Sequence, residues 1–386
     1  MNLFLIAGEP SGDLLGARMM VSLKGQAGEK IRFSGIGGER MRAEGQEQIF
    51  PQDDLAVMGL AEVLPRIPRL LRRIRQAVQA ILQQKPDVVV TIDAPDFSFR
   101  VARRVRKLAP DIPLVHCVAP TVWSWRPGRA RKIARFLDHL LALFPFEPPY
   151  FTREGLACTF VGHPLVESGA AQGNAEAFRQ RYPQTAGKRL LVVLPGSRRG
   201  EVTRLLPVLK DTLAKLKDRN LMAIVPTVER GAAQVEDAVR DWPVPALVVQ
   251  GDRDKYDAFA AADMAVAASG TVVLELALGG LPAVIVYRIN PLSAFLVRRL
   301  SRLKCVSLVN IMHDRMVMPE LLQENCRADR IAEAAIHLLD SGEARAVQKQ
   351  ALAQVAGWLG QGGVQPPSAR MADVILDLAG RQRKTT

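Results

Sequence analysis

Leu194-Pro195-Gly196-Ser197-Arg198-Arg199-Gly200-Glu201 sets glycine, serine and two arginines between an apolar run at 190–194 and a periodic apolar stretch at 202–216. A strand-turn-helix of this kind offers free backbone N–H groups and fixed positive charge, which suits a phosphate and makes Ser197 and Arg198 its candidate ligands. Ala268-Ser269-Gly270-Thr271-Val272-Val273-Leu274-Glu275 follows the same logic after another apolar run. Ser269, Gly270 and Thr271 would bring hydroxyls and N–H groups to a positive helix end, and Glu275, one turn further, can accept two hydroxyl hydrogen bonds, as a ribose would offer. The competing reading is a capping box on Thr271, weakened because Leu274 stands where Glu or Gln belongs.

A third constellation is Ile92-Asp93-Ala94-Pro95-Asp96-Phe97, with two carboxylates three residues apart beyond an apolar run. Pro95 bars Ala94 from a helical conformation. Asp93 can take a proton from a hydroxyl nucleophile, and Asp96 reads as the N-cap of the helix carrying Val101, Val105 and Leu108. A D-x-x-D metal site is the weaker alternative, since no His or further acid is clustered nearby. Gly8-Glu9-Pro10-Ser11-Gly12-Asp13 and Gly35-Ile36-Gly37-Gly38 are small-residue turns after strands, neither a G-x-G-x-x-G fingerprint. Thr121-Val122-Trp123-Ser124-Trp125-Arg126 pairs two tryptophans with a basic run, fit for stacking on a sugar or base, for a membrane interface, or for core packing. His163 reads as a turn residue and His313 is ambiguous.

Elements must hold these residues. Apolar runs at 3–7, 31–34, 88–92, 114–118 and 140–143, and again at 190–194, 222–225, 247–249, 264–267 and 283–286, alternate with helical stretches. The pattern predicts parallel strands covered on both faces, with a β-α-β organisation in each half. The halves divide across 162–187, and a Gly/Pro stretch at 360–367 precedes an amphipathic run at 371–378, expected to return to the first domain. A chain of 386 residues supports two cores. Its four cysteines, Cys117, Cys158, Cys305 and Cys326, show no C-x-x-C spacing and read as reduced thiols. The N-terminus runs directly into the first turn and reads as a strand, not a signal peptide.

The formal charge is +13, shared between residues 1–160 (+7) and the remainder (+6). It concentrates in acid-free clusters at 65–76, 126–135 and 298–304, which implies an anionic partner. The helix expected at 68–84 puts Ile67, Leu70, Leu71, Ile74, Val78, Ile81 and Leu82 on one face and arginines on the other. Core packing with a solvated face competes there with a membrane-surface helix, which Val57, Met58, Leu60, Val63 and Leu64 would extend; 291–304 is a second such stretch. No run approaches the roughly 18 residues that span a bilayer.

The chain resembles the lipid-A-disaccharide synthase family of inverting glycosyltransferases with the GT-B fold. Nine segments in family order carry the likeness: AGEPSGD, AVMGLAEVL, IDAPDF, VWSWR, FPFE, VGHPL, LPGSR, ASGTVVLE, and VSLVNI with PELLQE. The resemblance implies an α/β fold of two Rossmann-like doubly wound domains facing a cleft. Residues 1–165 with a C-terminal helix at 368–386 would form the acceptor and membrane-facing domain, and 166–367 the UDP-sugar donor domain. It implies transfer from UDP-2,3-diacylglucosamine to 2,3-diacylglucosamine 1-phosphate, giving a β-1,6 disaccharide and UDP with no cofactor and no metal. Asp93 would be the base, Arg198 and Ser197 with the 269–271 helix end would neutralise the diphosphate, Glu275 would hold the ribose, and Asn310 would match a polar catalytic position. Gly8, Ser11, Gly12 and Asp96 would bind on the acceptor side. The implied setting is cytoplasmic, peripheral on the inner membrane, on an anionic membrane surface, without nucleic acid and with a homodimer left open. Pro10 and Val309 depart from the family, where Ala and Pro are frequent. A soluble UDP-sugar epimerase is the first alternative. A basic nucleic-acid binder ranks below it, because the clusters lack interleaved aromatics and a helix-turn-helix pattern.

Overall fold

The computed structural model describes residues 1–28, 31–55, 60–125, 127–228, 231–290 and 304–385; of 60–67 and 381–385 only the backbone is described. The chain forms two compact units, one of 1–164 with 363–386 and the other of 165–362.

In the first unit, strands β1 (Asn2–Ala7), β2 (Arg32–Ile36), β3 (Gln46–Gln48), β4 (Val88–Ile92), β5 (Leu114–Cys117), β6 (His139–Ala142) and β7 (Ala157–Phe160) form one parallel sheet in the order β3-β2-β1-β4-β5-β6-β7. The continuous apolar runs become its central strands, every residue of β4 being buried. Both sheet faces are covered, one by the helices Leu60–Gln84 and Pro95–Leu108, the other by Pro10–Ala27 and the C-terminal helix Pro367–Thr385. That last helix buries Met371, Ala372 and Ile375 in the first unit's core, and its Ser368 bonds Ser22 at 3.0 Å.

In the second unit, β8 (Arg189–Leu194), β9 (Leu221–Thr227), β10 (Ala246–Gln250), β11 (Met264–Ala268), β12 (Ala283–Tyr287) and β13 (Glu320–Leu322) form a parallel sheet in the order β10-β9-β8-β11-β12-β13. Sequence reading finds ten of the strands. The other three, β3, β7 and β13, sit at sheet edges and are short, polar or half-buried, so no apolar run marks them. Each unit is the doubly wound α/β architecture expected from the β-α-β pattern.

Strand order reverses between β1 and β4 in one unit and between β8 and β11 in the other. Loops leaving two such neighbours diverge to opposite faces of the sheet, opening a crevice at the strands' C-terminal ends. In register, Ala7 pairs with Ile92, and Leu194 with Ala267. The chemistry-bearing turns therefore begin at adjacent points on each sheet's rim. Among the described residues no helix is long and apolar enough to cross a membrane.

Candidate active site

At the β1/β4 crevice, Asp93 and Ala94 both hold left-handed backbone, φ 52° and 44°. Such conformations cost an L-residue about 1 kcal/mol or more each and cluster at functional sites. Pro95 explains part of the geometry: it starts the helix and excludes right-handed helical backbone at Ala94. Ser98 Oγ donates to the Asp93 carbonyl at 2.9 Å, and Asp93 N–H donates to the Cys117 carbonyl at 3.0 Å, so the backbone is pinned on both sides. The Asp93 carboxylate itself accepts no hydrogen bond from the described residues and is half-buried. The expected cap is different: Ala94 is the N-cap, and Asp96 is an exposed residue of the helix's first turn with no capping bond. Proline at the first helical position shifts the cap one residue ahead of itself, leaving Asp96 to act only on the helix dipole.

The Gly8 turn abuts this loop. A Cβ on Gly8 would lie 2.5 Å from the Ala94 Cβ, and one on Gly12 would lie 3.4 Å from the Ile92 carbonyl oxygen. Ser11 is exposed beside them. Glu9, to which sequence reading assigned no role, proves to be a neighbour of Asp93. Its carboxyl is pushed above the ordinary value by partial burial and by the Asp93 charge. The two carboxylates thus feel one another's charge at the rim, a signal present in the sequence only as an unremarkable Glu in the first turn. Asp13, by contrast, is buried and structural, accepting from the N–H groups of Gly38, Arg40 and Met41 at 2.8, 3.1 and 3.0 Å to start the helix Glu39–Ala43.

At the β8/β11 crevice lies a cavity of ≈ 780 Å³, lined among others by Ser197, Arg198, Ser269, Gly270, Thr271 and Glu275. All six were singled out from the sequence. The helix Arg199–Ala214 begins at the cavity, its first N–H groups lacking intrahelical acceptors as at any helix start. Arg198 is 74 % exposed, its Nη1 held 3.0 Å from Glu201 Oε1. Glu201, missed by sequence reading, is buried, takes the Tyr287 hydroxyl at 3.2 Å, and reaches back to Arg198 N at 3.4 Å. Gly196 has φ +106°, and a Cβ there would strike Glu201 Oε2 at 2.7 Å, so this turn admits only glycine. Thr271 is the N-cap of Val272–Leu278 but makes no side-chain capping bond, which leaves its hydroxyl for a ligand. Glu275 is paired with Lys255 Nζ at 3.1 Å.

Asn310 is not among the cavity's lining residues. It is fully buried. Its Nδ2 donates to Met318 O and Glu320 Oε1 at 2.8 and 2.7 Å, and its Oδ1 accepts from the N–H groups of Val317 and Met318 at 2.8 and 2.9 Å. An amide so engaged holds its loop and has no group left for a substrate. His313 is likewise structural, bonded to the Ala351 carbonyl at 3.0 Å.

The basic clusters sort by environment. From Leu70 to Leu82 the apolar face of Leu60–Gln84 is spent on the first unit's core, as the packing alternative holds. Arg73 pairs with Asp54 and lies 4.6 Å over the Phe50 ring, whereas Arg72 and Arg75 are exposed. Trp123 is packed, its Nε1 donating to buried Glu147 at 3.2 Å, while Trp125 is 42 % exposed. Arg131, Lys132 and Arg135 are exposed in the same stretch. Side chains of 57–67, Arg126, and 291–303 with Arg298, Arg299 and Arg302 lie outside the described residues.

The profile of the Lipid-A-disaccharide synthetase family matches residues 3–362. A lipid-A-disaccharide synthase of Rhodospirillum centenum is 55 % identical over 99 % of this chain and 97 % of its own. One from Paramagnetospirillum magneticum is 49 % identical over 98 % and 97 %. Among solved structures, MurG of Acinetobacter baumannii aligns with TM-score 0.60 at 15 % identity over 97 % of this chain and 99 % of that one. The UDP-GlcNAc 2-epimerase of Neisseria meningitidis bound to UDP-GlcNAc aligns with TM-score 0.61 at 11 % identity over 99 % and 100 %. These structures share the two-domain GT-B fold with the chain; at such identities they carry nothing about its reaction.

Proposed function

The chain belongs to the lipid-A-disaccharide synthetase family, and from that premise we propose that its two rim sites divide one glycosyl transfer between them. It is a glycosyltransferase of lipid A biosynthesis. The epimerase alternative rests on fold alone and yields to the family match. The donor is UDP-2,3-diacylglucosamine and the acceptor 2,3-diacylglucosamine 1-phosphate. Asp93 takes the proton of the acceptor 6-hydroxyl. The freed oxygen attacks the donor C1 opposite the diphosphate, the C1–O bond breaks with its electron pair going to UDP, and the configuration inverts to β. Glu9 is pushed above the ordinary carboxyl value by partial burial and by the Asp93 charge, so the Asp93 charge disfavours ionisation of Glu9.

In the second unit, Ser197, Arg198, Ser269, Gly270 and Thr271 meet the diphosphate, and Glu275 the ribose. Charge grows on the diphosphate as the bond breaks, so these donors act mostly in the transition state, and losing one costs on the order of a hundredfold in rate. Glu201 and Asn310 are positioning residues, holding Arg198 and the 316–320 loop. Gly8, Ser11, Gly12 and Asp96 border the acceptor. The single observation that carries the reading is an Asp93 carboxylate left free of donors among the described residues, at the β1/β4 switch point and on left-handed backbone. The enzyme sits peripherally on the cytoplasmic face of the inner membrane. Exposed Trp125, Arg72, Arg75, Arg131, Lys132 and Arg135 of the first unit meet anionic lipid, each cation gaining roughly 1 kcal/mol there. An Asp93→Asn variant tests the division of labour: transfer is lost and UDP affinity, measured by calorimetry, is kept. Near-parental turnover removes Asp93 as the base.

A further inference from the structure

Lys255 projects from the helix Asp252–Ala261, which follows β10, and Glu275 from the helix Val272–Leu278, which follows β11. Both line the second unit's cavity. Their side chains are 19 % and 14 % exposed, and Lys255 Nζ stands 3.1 Å from Glu275 Oε2 and 3.2 Å from Oε1. A second carboxylate, Asp252, takes the same ammonium at 2.9 Å, and the Tyr256 ring lies 4.5 Å from it. Burial alone would pull the Lys255 ammonium down, but Glu275 and Asp252 outweigh it and hold it above its ordinary value, so the cation persists.

Two helices from different loops thus meet through one ion pair at the cavity wall. A carboxylate has about four acceptor positions, and an ammonium centred between its oxygens fills two of them. The outer edge of each oxygen stays open, so the carboxylate can still accept a hydroxyl while the ammonium holds it. An isolated Glu275 at this depth would lack its counter-charge and have no fixed rotamer, because nothing else in the described residues bonds it.

We propose that Lys255 is a positioning residue that fixes the Glu275 carboxylate for a ribose diol and so makes the donor site select ribonucleotides over those lacking the 2′- and 3′-hydroxyls. The inference rests on the assignment of Glu275 to the ribose and adds the residue that makes the assignment selective. On this proposal Lys255 acts on the diol through Glu275. Its effect is therefore confined to ligands that carry the hydroxyls, which a general loss of structure would not be.

Calorimetric titration of the full chain with UDP and with 2′,3′-dideoxyuridine diphosphate reads this directly. Lys255→Met weakens UDP about tenfold, the worth of one charge-assisted hydrogen bond, and changes the dideoxy nucleotide less than twofold. Lys255→Arg, which keeps the charge and the fold, retains most of the parental preference. Equal losses for both nucleotides in Lys255→Met, or no loss for either, overturn the proposal. Glu275→Ala separates the two levels. If it keeps the parental preference for UDP, the ribose assignment falls; if it loses the preference while Lys255→Met keeps it, only the role of Lys255 falls.

Discussion

Replacing Gly8 by alanine should disable transfer without touching the donor site. The added Cβ would stand 2.5 Å from the Ala94 Cβ, where methyl carbons settle at about 3.5–4.0 Å. One of the two segments must yield by about 1 Å. Gly8 continues β1, whose last residue is locked in register with Ile92, so the movement falls on the Asp93–Ala94 turn. That turn already carries two consecutive left-handed residues ahead of a proline and has no softer conformation to adopt. The overpacking costs about 1–3 kcal/mol of stability, within the reserve of a typical domain. The displaced base costs more in rate: a misplacement of about 1 Å lowers turnover on the order of a hundredfold. Steady-state transfer and UDP calorimetry together check it, the first falling and the second unchanged. A compensating change sharpens the test. Gly8→Ala with Ala94→Gly removes the clash and puts a residue tolerant of positive φ at position 94, so activity should return to within a few-fold of the parent. Parental turnover in Gly8→Ala, or a double variant no better than the single, would refute the claim that this contact sets Asp93.

Glu275→Ala should weaken UDP binding more than Asp93→Asn does; unchanged affinity would end its ribose role. Reversing Arg72 and Arg75 to Glu should reduce sedimentation with anionic vesicles, and those two are the proper pair because Arg73 is committed to Asp54 and Phe50; sedimentation equal to the parent would move the contact elsewhere. Burial pushes the Glu147 carboxyl up to about 7, against the opposing bonds from Phe144, Trp123 and Leu143. The folded state then holds a proton that the unfolded chain releases near 4.5, so this group's contribution favours folding less and less as pH rises from 4.5 to 7. Glu147→Gln should gain stability over the parent between pH 5.5 and 8 by on the order of 2 kcal/mol, measured by urea unfolding at both pH values; a pH-independent difference would contradict it.

The central strands, the two rim turns of the second unit and the Asp93 loop are legible in the sequence because each has a local signature: an apolar run, then glycine, hydroxyl and charge. What the sequence hides is reciprocal. Glu201 and Lys255 matter through partners at other positions, Tyr287 and Glu275, which no local pattern announces. Glu9 becomes notable only because β1 and β4 are neighbours across 80 residues of chain of the order that sequence pattern cannot pair. The Asp96 cap misleads because an acid near a helix start suits both the cap and the first turn, and Pro95 decides between them. Asn310 misleads in the opposite sense: a polar residue in a matching segment reads as catalytic until its protein bonds are seen.

The most direct measurement supplies the purified chain with radiolabelled UDP-2,3-diacylglucosamine and 2,3-diacylglucosamine 1-phosphate in mixed micelles and follows both products. Disaccharide 1-phosphate and UDP should appear in equal amounts, with the new linkage β, and both should vanish in Asp93→Asn. Release of UDP without disaccharide, an epimerised donor, or an α linkage would contradict the account.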